Sequence, residues 1–97
     1  MPTYISLINW TEKGIGTVNE TLDRASAAKS AAQRLGGDLT HIFWTVGPYD
    51  LVAISEFSDE QTATAFLLEL GALGNIRTST MRAYNADEMA GILGKTG

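Results

Sequence analysis

The run TYISLINW, residues 3–10, alternates Tyr4, Ser6, Ile8 and Trp10 with Ile5, Leu7 and Asn9. A period of two with β-branched and aromatic content predicts a strand. TEKGIGTVNE carries two glycines and predicts a turn or a short irregular helix. From residue 21 the period lengthens: Leu22, Ala25, Ala28, Ala32 and Leu35 fall three or four apart. That spacing predicts a helix with Thr21 as N-cap and Gly36 at C′. Its stripe is mostly alanine, which holds the helix close to whatever it covers.

DLTHIFWTV, residues 38–46, alternates Leu39, His41, Phe43 and Thr45 with Thr40, Ile42, Trp44 and Val46, and DLVAISEF alternates again after a GPYD corner. These two runs predict strands that are apolar or aromatic on both faces, so both faces need cover. SDEQTATAFLLELGALG predicts a second helix, with Ser58 as N-cap, Gln61 at the capping-box position and Phe66, Leu67, Leu70 and Leu73 on one face. NIRTSTMRAY, residues 75–84, predicts a fourth strand. Asn85 and Glu88 repeat the capping-box spacing before Met89, Ile92 and Leu93, which mark a short amphipathic C-terminal helix.

The order β-α-β-β-α-β is the split βαβ of ferredoxin-like folds, so residues 1–97 are expected to form one α+β domain. Two helices cover one face of its four-stranded antiparallel sheet. The other face is too apolar for water, so the chain is expected to pair sheet against sheet as a homodimer, or within a higher homo-oligomer.

In the corner, Pro48 presets φ for a turn and Gly47 tolerates a positive one. The pair differs from the Asn-Gly or Asp-Gly of a two-residue hairpin, which implies a longer or bulged connection whose Asp50 carboxylate accepts backbone N–H groups. Taken with YISLINWT, Gly14, Arg24, LGG at 35–37, DLV after the corner, Glu56 and ALGNIRTSTMRA at 72–83, the motif makes the chain resemble the GYD-domain family. That resemblance implies a relative of the dimeric α+β barrels, a superfamily that includes monooxygenases, heme enzymes and effector-binding modules. Leu22 departs from the proline frequent at that family's first helical position.

Charge narrows the partners. With a net charge of -4 and seven scattered basic residues, the chain lacks the clustered cations that nucleic acid requires. No apolar run reaches the roughly 20 residues of a membrane span. The absence of cysteine excludes thiolate chemistry and fits a cytoplasmic protein, and a single histidine excludes a multi-histidine metal site. No cofactor is expected. Were His41 a ligand, heme iron is the candidate, because one axial imidazole suffices there.

Eight residues make up the candidate ligand pocket: Tyr4, Trp10, His41, Trp44, Tyr49, Asp50, Glu56 and Arg82. Glu56 shares a strand side with Val52 and Ile54, so it is expected to pair with an arginine such as Arg82, within the chain or across a dimer, or to titrate high. Aromatic rings, one histidine, one carboxylate and strand hydroxyls converging beside a sheet would form a small apolar or aromatic ligand site. Three functions remain open on this reading. One is a small-molecule-binding barrel, another a cofactor-independent oxygenase or isomerase acting on an aromatic or quinone-like substrate with His41 or Glu56 as base, and the third an assembly module.

Overall fold

The computed structural model describes Met1–Gly97. Its elements are β1 (Thr3–Trp10), α1 (Glu12–Gly16), a 3₁₀ turn (Val18–Glu20), α2 (Thr21–Arg34), β2 (Asp38–Trp44), β3 (Leu51–Glu56), α3 (Glu60–Ala72), β4 (Ile76–Ala83) and α4 (Ala86–Leu93). The strands form one antiparallel sheet in the order β2-β3-β1-β4. This is the expected α+β, ferredoxin-like arrangement. α2 packs over β2 and α3 over β4, while the two helices touch one another only briefly.

Helix ends follow local chemistry. α2 closes as anticipated, with Gly36 at φ 81° and the Gly36 and Gly37 N–H groups donating to the carbonyls of Gln33 and Ala32. Its start differs. The 3₁₀ turn runs straight into the helix, so Thr21 is already helical and its hydroxyl accepts from Trp44 Nε1 at 2.9 Å. α3 is capped by Asp59 instead of Ser58: the extended Asp59 backbone aims Oδ1 at the Thr62 N–H, 2.8 Å away. A carboxylate accepts more strongly than a hydroxyl. α4 has the full capping box between Asn85 and Glu88. Near β1, α1 lies so close to Asn75 that a Cβ on Gly14 would sit 1.9 Å from the Asn75 carbonyl oxygen, which leaves room for glycine alone.

One feature of the sheet overturns the simple alternation expected of β2. A bulge between Leu39 and His41 shifts the register, placing Leu39 opposite Ser55 and His41 opposite Ile54. An extra residue on one strand turns everything beyond it to the other face. Leu39, Ile42 and Trp44 therefore share the helix-covered face, and His41 and Phe43 lie on the open one.

The core under the helices consists of Tyr4, Ile8, Ala32, Leu39, Leu51, Ala53, Phe57, Ala63 and Phe66, with the Phe57 and Phe66 rings 5.1 Å apart. On the open face, Ile5, Leu7, Phe43, Val52, Ile54 and Met81 form an apolar surface that no element of the chain covers.

Candidate functional site

Between α2 and α3, which touch one another only briefly, a cavity of about 280 Å³ opens over the sheet. Small residues on the central strands give it depth: Ser6 on β1, with Ala53 and Ser55 on β3, form its floor. One wall is the alanine face of α2, chiefly Ala25, Ala28 and Ala31. The opposite wall is the Phe66, Leu67 and Leu70 face of α3. Trp10, Leu73 and Ile76 line the end toward Asn75.

Polar groups are few, and most are already engaged. Ser6 Oγ and Thr80 Oγ1 lie 2.8 Å apart and bond to each other. Arg24 lines the cavity with its stem, while its guanidinium donates to the Gly14 carbonyl at 3.1 Å and to Thr17 Oγ1 at 2.9 Å. Glu69, at the outer edge of α3, is ion-paired with Arg34. Ser55 is 5% exposed, and its hydroxyl lines the cavity with no hydrogen bond to the protein.

Of the eight residues singled out from sequence, Trp10 lines this cavity. Trp44 lies on the same side of the sheet and reaches Thr21. Tyr4 is buried beside it, between Ser55 and Arg82 in the strand register, and its phenol oxygen has no hydrogen-bond partner. Burial, and next the carboxylate of Glu60, raise the Tyr4 phenol above its usual 10.0. Arg82 lies over the rings of Tyr84 and Tyr4, at 4.3 and 5.8 Å, and donates to the carbonyls of Thr3 and Ala83. The carboxylate beside it is Glu88, 3.9 Å away, so the expected Glu56–Arg82 pair does not form within the chain. The two side chains leave opposite faces of the sheet. His41 also lies on the open face, exposed and stacked with Phe43 at 6.1 Å.

Tyr49 and Asp50 stay in the corner. The Tyr49 carbonyl accepts from Thr45 Oγ1 at 2.6 Å, and Gly47 takes φ 149°. Asp50 Oδ2 accepts the Trp10 N–H at 2.9 Å, and the Asp50 N–H donates to Ile8. The carboxylate thus serves backbone, as expected, but the backbone is that of β1. Ser55, Ala28 and the α3 leucines were absent from the candidate set; the signal for them was a small polar residue and an alanine stripe at inward-facing positions. No three His, Asp or Glu side chains gather closely enough to hold a metal ion.

The architecture defines a ferredoxin-like α+β domain that carries an apolar cleft under its helices and an uncovered apolar sheet behind them. The GYD domain model matches residues 4–93, and the chain belongs to the GYD-domain family. It is 30% identical over 84 residues to a glutamine synthetase and cystathionine beta-lyase binding protein of Thermus thermophilus, across 86% of this chain and 88% of that protein. A crystal structure of a protein from the same organism superposes with a TM-score of 0.57 at 25% identity, covering 89% of this chain and 96% of that one. A second crystal structure, of a protein designated FFRP, shares the fold at 22% identity with a TM-score of 0.64, over 87% of this chain and 100% of its own.

Proposed function

We propose that the protein is a homodimeric binding module that takes a small molecule into the cleft between α2, α3 and the sheet. The observation that carries this reading is the cleft itself: concave, predominantly apolar and close in size to the smaller ligand sites of proteins. The charged side chains that line it, Arg24 and Glu69, are both held by other groups, which favours binding over turnover. His41 and Glu56 project from the opposite face, which weighs against an oxygenase or isomerase using either as base in this cleft. The role asks for no cofactor, and we assign it to the cytoplasm.

Native mass spectrometry of the full chain against a library of small apolar compounds tests the reading. Adducts are expected with the parent protein and should vanish in Ala28→Phe, which fills the cleft from α2. Adducts that persist in that variant would place the ligand elsewhere. The Thermus relative's name supports a second reading, docking onto an enzyme, for which α4 offers exposed Met89 and Leu93. Co-sedimentation with purified glutamine synthetase, lost in Met89→Glu, is the outcome that reading requires.

A further inference from the structure

Resting on the cleft-binding reading above, we infer that the ligand is a compact molecule without an ammonium group, about two fused rings in size, with one oxygen that hydrogen-bonds to Ser55. Volume sets the size. An apolar cavity of roughly 150 Å³ accommodates benzene, and the 280 Å³ here is nearly twice that.

An ammonium group is excluded by the lining. A charged group carried into an apolar site needs a compensating partner. The one lining carboxylate, Glu69, is already paired with Arg34, whereas Arg24 bonds to neutral groups of Gly14 and Thr17 and keeps its positive charge. Every other lining residue is uncharged. Free amino acids and amines, whose ammonium group finds no carboxylate there, are therefore poor occupants.

The single oxygen follows from the floor. Ser6 and Thr80 satisfy one another across β1 and β4. Ser55, a residue 5% exposed, is the buried lining hydroxyl without a side-chain partner, and it stays open to the cavity, unlike the sealed phenol oxygen of Tyr4. A hydroxyl donates and accepts, so Ser55 suits a phenol or a ketone equally. An oxygen-bearing ligand gains this bond deep in the cleft. A pure hydrocarbon of the same shape leaves the hydroxyl unmatched.

Titration of the full chain at pH 7 with 2-naphthol, 2-naphthylmethylamine and naphthalene, followed by ligand fluorescence, tests the assignment. Naphthol is expected to bind up to about tenfold more tightly than naphthalene, a preference of the size one buried hydrogen bond supplies, and the amine, protonated at this pH, is expected to bind more weakly than either. Ser55→Ala should erase the preference for naphthol, with naphthalene binding the variant at least as tightly as the parent because no hydroxyl is left unmatched. Should Ser55→Ala fail to fold, Ser55→Cys carries the test, since its thiol is a weak hydrogen-bonding group and should reduce the preference. Naphthalene binding with no preference for naphthol, or the amine binding best, would overturn the ligand class and leave the cleft-binding reading standing. Failure of all three probes to bind would overturn both.

Discussion

Asp50 joins two distant parts of the chain with one carboxylate. Its Oδ2 accepts the N–H of Trp10, the last residue of β1, so the GPYD corner is fastened to the strand beside it. Removing a charged acceptor of a part-buried N–H costs about 2 kcal/mol. Asp50→Ala should lower unfolding stability by that amount in a urea titration, and Asp50→Asn by less, because an amide oxygen still accepts. Tyr4 makes the opposite case. Its buried phenol oxygen has no partner, so Tyr4→Phe should raise stability by about 1 kcal/mol. The phenol titrates above 10.0 because burial disfavours phenolate. Its protonated form is therefore favoured in the folded state, and that contribution holds below pH 10 and is lost as pH rises through the folded value. Parent protein should lose stability in strong alkali more steeply than Tyr4→Phe, and parallel melting curves would contradict this. That Asp50 serves backbone was legible in a Pro-Tyr-Asp corner leading into a strand. That Arg82 turns to Thr3, Ala83 and Glu88 was not, because strand spacing gives a residue's face but not the reach of a flexible guanidinium.

At the scale of elements, period and punctuation carried most of the order. Three alternating runs and NIRTSTMRAY became the four strands, and the stripes of α2, α3 and α4 became helices. The bulge in β2 was hidden, since Leu39-Thr40-His41 reads as ordinary alternation and the inserted residue is defined only by pairing with β3. Its consequence reached the site: it moved His41 away from Leu39 and to the open face. Helix starts were legible to within a residue, and competition between neighbouring acceptors decided the rest. Asp59 won over Ser58 at α3. Backbone and side-chain hydrogen bonds from Thr62 hold the Asp59 carboxyl below its usual 3.8. A depressed folded value means the stabilisation is present above that ordinary value and is lost as acid titrates the carboxylate. Asp59→Asn keeps a capping oxygen that does not titrate in this range. The melting temperature of the parent should fall further between about pH 5 and pH 2 than that of the variant; equal falls would show that the cap contributes nothing to acid sensitivity.

For the molecule as a whole, the surface area favours a partner. A compact monomer of 10.4 kDa exposes roughly 5,400 Å², whereas this chain exposes 6209 Å². The excess of roughly 800 Å² matches one partner's share of a standard protein interface. Two features contribute to it: the uncovered sheet face, and α4, which exposes Met89 and Leu93. The sheet is the stronger candidate for the dimer contact. Its apolar side chains are contiguous across all four strands, whereas α4 is a single helix of eight residues. Sedimentation at micromolar concentration is expected to show a species of twice the chain mass. Leu7→Glu, which sets a carboxylate on the open face of β1, one of the two central strands, should give monomer, because an unpaired charge is strongly disfavoured in a buried interface. Leu93→Glu should leave the dimer intact. A monomeric parent would remove the homodimer altogether, and the reverse pattern, dissociation by Leu93→Glu with Leu7→Glu still dimeric, would move the contact from the sheet to α4.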